Sequence, residues 1–171
     1  MIIINTTAMF STGNNNMSTP QWFFDKLNEV FHFTLDPCAD ETNKKCNLYY
    51  TKEENGLTKN WEGQTVFYNP PYSRKTKAKI GQEDFIHKCM TEWKENNVTS
   101  VMLIPARTDT KAQHNYIFPN AKYICFIKGR LKFNEQKTSA PFPSELVIFT
   151  NKNFDTKIKE LIDLGYWIKL K

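Results

Sequence analysis

A chain of 171 residues, 40% hydrophobic and 24% charged, has the composition of a globular protein and the length of one domain with a real core. Its 23 basic and 18 acidic residues leave a net charge of +5, a tilt that suits a polyanionic partner without establishing one. Four cysteines without a CxxC pair and three scattered histidines argue against a zinc site and for free thiols in a reducing compartment. The opening Met1-Ile2-Ile3-Ile4 is too short for a signal peptide and no later run is long enough to cross a bilayer, so the expectation is a soluble, cytoplasmic protein.

Residues 1–17, which include a polar, asparagine-rich stretch, read as a flexible lead-in to a single domain over 18–171. Ser18 or Thr19 is placed to cap a helix with Pro20 in its first turn, and Phe23, Leu27, Val30 and Phe31 recur at helical spacing. Phe33-Thr34-Leu35 is a short strand that runs into Asp36-Pro37-Cys38-Ala39-Asp40. Asn47 to Tyr50 is a weak strand, and Glu53 to Leu57 is a turn. Thr65-Val66-Phe67-Tyr68 reads as a buried strand that stops abruptly at Asn69-Pro70-Pro71-Tyr72. A basic loop from Ser73 to Gln82 precedes an amphipathic helix over 83–96. Val101 to Ile104 is a continuous apolar strand ending at Pro105-Ala106-Arg107, and Thr108 or Asp109 can cap a short helix. A long strand is expected over 123–133, another over 145–150, a helix over 154–164 stopped by Gly165, and a closing strand over 166–170.

Strands alternating with helices predict an α/β sandwich with a mainly parallel sheet. Ligands in such sheets bind past the carboxyl ends of the strands, and Asp36, Asn69 and Pro105 each stand just past one.

The tetrad Asn69-Pro70-Pro71-Tyr72 carries the sharpest chemistry. Its prolines remove two backbone donors and stiffen the turn. What remains is an amide side chain, the Pro70 carbonyl and an aromatic face, a set suited to holding a planar ring with an exocyclic amine. Such an amine is a poor nucleophile because its lone pair is shared with the ring. Two acceptors on its hydrogens draw the pair back to nitrogen and stabilise the positive charge that grows as nitrogen attacks. An ordinary strand-to-turn junction is the competing reading of Asn-Pro.

With Ser18-Thr19-Pro20, Trp22-Phe23, Leu35-Asp36-Pro37-Cys38-Ala39, Gly56-Leu57, Trp61 and Asn69-Pro70-Pro71-Tyr72-Ser73, the chain resembles the phage-type Dam family of DNA adenine-N6 methyltransferases. The likeness continues through Leu103 to Thr110, Lys128-Gly129-Arg130-Leu131-Lys132-Phe133 and Pro141 to Ser144, and so spans about 18–150. The resemblance implies a Rossmann-like fold, S-adenosylmethionine as cofactor and a flipped adenine held by Asn69, Pro70, Pro71 and Tyr72. It places Thr19, Pro20, Asp36, Pro37 and Asn69 at the cofactor, with Asp36 near the methionine amino group. Glu53 or Glu54 is the candidate for the ribose. The first-strand loop lacks the usual glycines, and only 33 positions separate Asp36 from Asn69, so one strand–helix unit is expected to be missing or reduced.

For a DNA partner, the expected contacts are Arg74, Lys75, Lys77 and Lys79 after the tetrad, Arg107 on the rim, and Lys128, Arg130 and Lys132 alternating along a strand. Arg107 has a competing role as the ion-pair partner of Asp109. No membrane partner and no metal are expected, and a monomer is favoured over an oligomer. The competing functions are methylation of another planar amine (cytosine N4, an RNA base, a protein glutamine) and a catalytically inactive DNA-binding protein of the same fold.

Overall fold

The computed structural model describes residues 17–72, 80–135 and 138–171. One seven-stranded sheet organises them: β1 (Leu35–Asp36), β2 (Leu48–Tyr49), β3 (Thr65–Tyr68), β4 (Thr99–Pro105), β5 (Tyr123–Ile127), β6 (Ser144–Phe149) and β7 (Gly165–Lys169), in the order β2-β1-β3-β4-β6-β5-β7. The β1/β2, β1/β3 and β3/β4 ladders are parallel. The β4/β6, β5/β6 and β5/β7 ladders are antiparallel. The mainly parallel expectation therefore needs correction: five strands share one direction, but the ladders divide evenly between the two kinds. β6 enters the gap between β4 and β5 running backwards, which a linear reading of strand and helix cannot foresee. The whole is a mixed α/β sheet with helices, consistent with a Rossmann-like fold.

Alternation along the strands sorts the core into two layers. Phe67, Val101, Leu103, Leu146 and Ile148 face one way and meet Phe23, Leu27, Val30 and Phe31 of α1 (Gln21–Phe31). Tyr68, Met102, Ile104, Val147 and Phe149 face the other and meet Phe85, Ile86 and Cys89 of α2 (Gln82–Asn96) together with Trp61 and Ile117. β4 is buried along its whole length, as an uninterrupted apolar run demands of a central strand.

Four local expectations are revised. Pro20 takes the N-cap position of α1, where its side chain has no acceptor to cap with, and the Thr19 hydroxyl accepts from Asn69 Nδ2 instead. The long strand expected over 123–133 stops at Ile127, where Gly129 turns the chain at φ +76°. The closing helix is a tight 3-10 segment over Lys157–Leu164. The first strand is likewise shorter than expected, only Leu35–Asp36.

The parallel register Leu35↔Val66 and Tyr68↔Met102 puts the carboxyl ends of β1, β3 and β4 on one rim. Asp36, Asn69 and Pro105 share that rim, as expected. The glycine-free loop after β1 is closely covered. A Cβ on Gly56 would stand 2.2 Å from the Pro37 carbonyl oxygen, so only glycine permits this approach. The Trp61 indole N–H then locks the segment by donating to the Gly56 carbonyl at 3.0 Å.

Candidate active site

Asn69 stands at the centre of the rim, half-buried. Its Nδ2 donates to the Met17 carbonyl at 2.6 Å and to Thr19 Oγ1 at 3.0 Å. A backbone carbonyl can only accept, so the first of these bonds assigns the amide: nitrogen toward the N-terminal segment, oxygen away from it. Asn69 Oδ1 accepts from the Tyr72 hydroxyl at 2.6 Å. Pro70 is buried, and among the described residues its carbonyl accepts no hydrogen bond.

Tyr72 lies within an aromatic box. Its ring meets Phe142 edge-on at 5.5 Å between centroids and Phe133 at 6.2 Å, and the two phenylalanines are themselves 6.2 Å apart. Burial pushes the Tyr72 phenol above its usual range, so it stays a donor at any working pH. Both phenylalanines lie in stretches that carry the resemblance, Lys128–Phe133 and Pro141–Ser144, but neither has an expected role there: Phe133 reads as the strand face opposite the cations, and Phe142 stands in a loop between two prolines.

A cleft of about 420 Å³ adjoins the N-terminal segment. Ser18, Thr19 and Gln21 line it from that segment and the start of α1, Thr42, Asn43 and Lys45 from the loop after β1, and Asn134 from the chain after β5. Thr19 is thus common to the cleft and to the Asn69 amide. Residues 42–45 carry no signal in the sequence beyond polarity.

Asp36 is buried and does not line the cleft. Its Oδ2 accepts the Lys45 backbone N–H at 3.1 Å and its Oδ1 that of Cys38 at 3.3 Å. Burial raises its carboxyl to about 6, and the two amides and the Lys45 charge act in the opposite direction. Asp40 shapes the same loop by accepting from the Thr42 and Asn43 amides at 2.8 and 3.1 Å. The Lys45 ammonium donates to Gln21 Oε1 at 2.9 Å, joining the loop after β1 to the start of α1. Pro20 is buried beneath the segment and Pro37 beneath Gly56.

Glu53 and Glu54 are exposed in the turn after β2, away from the cleft lining, and Glu54 accepts the Thr51 N–H at 2.9 Å. Arg107 is half-buried at the rim, where Ala106 N–H ties the β4 end to the Pro143 carbonyl at 2.9 Å. Lys128, Arg130 and Lys132 are exposed, but they lie after β5 ends at Ile127 and not along a strand, so the shared face expected from strand alternation does not follow. Arg74, Lys75, Lys77 and Lys79 lie outside the described residues, as does the lead-in over 1–16. Among the described residues no group of three metal-ligating side chains occurs, and no helix is long and apolar enough to cross a membrane.

Comparison with known proteins bears on what this rim does. The sequence model of a family described as DNA N-6-adenine-methyltransferase (Dam) matches residues 7–161. The chain is similar to the DNA N-6-adenine-methyltransferase of Haemophilus phage HP1, 32% identical over 143 residues that cover 79% of this chain and 78% of the phage protein. It is also 35% identical over 100 residues to the DNA N-6-adenine-methyltransferase of Escherichia phage T1, covering 58% of this chain and 38% of that one.

Proposed function

This chain belongs to the DNA N-6-adenine-methyltransferase (Dam) family, and on that premise we propose that it methylates adenine N6 in DNA on a base turned out of the helix and held by Asn69, Pro70 and Tyr72. The observation that carries this reading is the fixed amide of Asn69. With Nδ2 committed to Met17 and Thr19, the oxygen is the group offered to a substrate. One of its lone pairs is taken by Tyr72, and the second is available to an amine hydrogen. The Pro70 carbonyl supplies the other acceptor. Two acceptors on one exocyclic amine return the lone pair to nitrogen and stabilise the charge that develops there. The alkylated nitrogen then releases a proton to solvent, so no strong base is required. Phe133, Phe142 and the Tyr72 ring give the flat base an aromatic enclosure, worth about 1–3 kcal/mol per stacked base.

S-adenosylmethionine supplies the electrophilic methyl group. The cleft fits it: its volume lies in the range of small-ligand sites, and its walls offer hydroxyl, amide and ammonium groups to an amino-acid end. Ser18, Thr19, Thr42, Asn43 and Lys45 would hold it. Asp36 contributes by tying down the Lys45 amide, and Pro37 by holding the loop under Gly56. Glu54 serves its own turn, and Glu53 stands beside it, after the strand that would carry the ribose side. DNA would track over Arg107, Lys128, Arg130 and Lys132, with the basic segment over 74–79 continuing the path. A cytoplasmic, monomeric enzyme with a domain over 18–171 completes the reading.

The test is incubation of the purified protein with labelled S-adenosylmethionine and plasmid DNA from cells lacking adenine methylation. Nucleoside mass spectrometry should show N6-methyladenine. Label in N4-methylcytosine, in RNA or in protein, or no label at all, would overturn the reading.

A further inference from the structure

We propose that Asn134 is a positioning residue for the Asn69 amide, acting through the segment Met17–Thr19; the proposal rests on Asn69 being the acceptor for the substrate amine. Asn134 grips Ser18 at both of its backbone polar groups. Its Oδ1 accepts the Ser18 N–H at 2.5 Å, and its own N–H donates to the Ser18 carbonyl at 3.0 Å. The two groups that flank Ser18, the Met17 carbonyl and the Thr19 hydroxyl, are the ones that take Asn69 Nδ2. Met17 packs against the core, and Thr19 and Pro20 are buried, which places the segment. The Asn134 clasp adds the two hydrogen bonds that set its direction at Ser18.

The backbone at Asn134 supports this assignment. It adopts φ 55°, a left-handed conformation that asparagine tolerates better than other residues with a Cβ. The side chain reaches Ser18 from that conformation and lines the cleft. The preceding residue, Phe133, belongs to the aromatic box around Tyr72. Two consecutive residues therefore touch the two groups that flank Asn69: Phe133 the Tyr72 ring, and Asn134 the segment that fixes the amide. The chain from Leu131 to Asn134 is in turn anchored from below, with Leu131 and Phe133 buried and the Ala140 N–H donating to the Leu131 carbonyl at 2.8 Å.

The consequence is chemical. With the clasp intact, Asn69 presents oxygen. Without it, the amide can turn over and present NH2 to an amine, donor against donor. A displacement of about 1 Å at such a site costs about 100-fold in rate.

The deciding experiment compares Asn134→Gly, which accepts a positive φ but has no side-chain acceptor, with Asn134→Asp, which keeps the acceptor. In 15N-labelled protein the Asn69 side-chain NH2 resonances are identified by their loss in Asn69→Asp. They should be shifted and slow to exchange in the native protein and in Asn134→Asp. In Asn134→Gly they should move toward solvent-like positions and exchange faster. Single-turnover methyl transfer to plasmid DNA at saturating S-adenosylmethionine should fall about 10–100-fold in Asn134→Gly, over and above any weakening of the cofactor from loss of a cleft-lining side chain, and Asn134→Asp should recover most of the loss. Unchanged Asn69 resonances in Asn134→Gly, or a native rate in that variant, would overturn the proposal. A native protein that transfers no methyl would instead sink the adenine reading, leaving the resonance comparison to decide the role of Asn134.

Discussion

The Tyr72 hydroxyl donates to Asn69 Oδ1 at 2.6 Å, so the ring expected to stack on a base is tied at its edge to the atom expected to polarise that base's amine. The bond sets the plane of Tyr72 relative to the acceptor before any substrate arrives. It also occupies one lone pair of Asn69, leaving a single direction from which an amine hydrogen can approach. Stiff prolines between the two residues make the relationship hard to relax.

Removal of the hydroxyl and removal of the ring should therefore have different consequences. Tyr72→Phe keeps the stack and frees a lone pair, so methyl transfer should stay within about tenfold of native, the span of one neutral hydrogen bond. Tyr72→Ala removes the stack, and KM for DNA should rise about 5–150-fold, the equivalent of about 1–3 kcal/mol. Steady-state kinetics on unmethylated plasmid DNA separate the two. Equal losses in both variants would show that the hydroxyl, not the ring, is what matters.

Asn69→Ala should reduce methyl transfer by about 100–1,000-fold, the cost of losing one preorganised charge-stabilising group. Cofactor affinity, read by calorimetry with S-adenosylmethionine, should change little, because Asn69 meets the cleft only through Thr19. Retained turnover would remove Asn69 from its role.

Glu145 gives a pH prediction. It lies near the start of β6 facing the α2 layer, fully buried, and no hydrogen bond closes on either carboxylate oxygen. Burial lifts it to about 7 from 4.5, against a weaker opposing pull from the Gln113 amide. The folded protein holds that proton over a range in which the unfolded chain has released it. Its contribution to stability is therefore greatest below about pH 4.5 and declines as pH rises toward 7, by at most about 3 kcal/mol. Asp36, raised to about 6, acts in the same sense between its two values. Glu145→Gln should flatten most of this decline, so that the variant gains on the native protein at pH 8 and not at pH 4. Chemical denaturation at both pH values measures it, and parallel pH profiles for the two proteins would refute it.

Gly56→Ala should drive a methyl group into the Pro37 carbonyl. Overpacking of this kind costs about 1–3 kcal/mol, a fall in Tm of roughly 2–12 °C for a chain of this size. The loop after β1 should shift with it and weaken S-adenosylmethionine binding. Thermal melts with and without cofactor test both, and a native Tm would show that the loop yields freely.

The exposed cations Lys128, Arg130 and Lys132 should act on DNA affinity alone. Replacing all three with alanine should make the fall of log K with log salt shallower, by up to about 0.9 for each phosphate no longer neutralised. An unchanged slope would place the DNA path elsewhere.

The half of the site proposed as the acceptor stands out in the sequence because its candidate chemistry is compressed into four consecutive residues. A strand that ends in Asn69-Pro70-Pro71-Tyr72 has few conformations open to it, and the side chains follow from the turn. The donor half stands out less. Asp36 stands on the rim as expected, yet its carboxylate is spent on the Lys45 and Cys38 amides, the first of them a bond made across nine residues of chain. The cations at 128, 130 and 132 read as strand because apolar and basic residues alternate there. A single glycine at φ +76° ends the strand first.

From sequence alone come the α/β class, the helix and strand cores, the rim of Asp36, Asn69 and Pro105, and the tetrad proposed as the acceptor. Each depends on residues near one another in the chain, where periodicity and turn chemistry act. Tertiary structure alone decides that β6 runs backwards beside β4, that Phe133 and Phe142 enclose Tyr72, and that Met17 and Thr19 hold the Asn69 amide. All of these join positions far apart in the chain, and no local preference specifies them. They exist because the packed sheet brings the N-terminal segment, the β3 turn and the loop after β5 to the same edge, where unpaired polar groups must find one another.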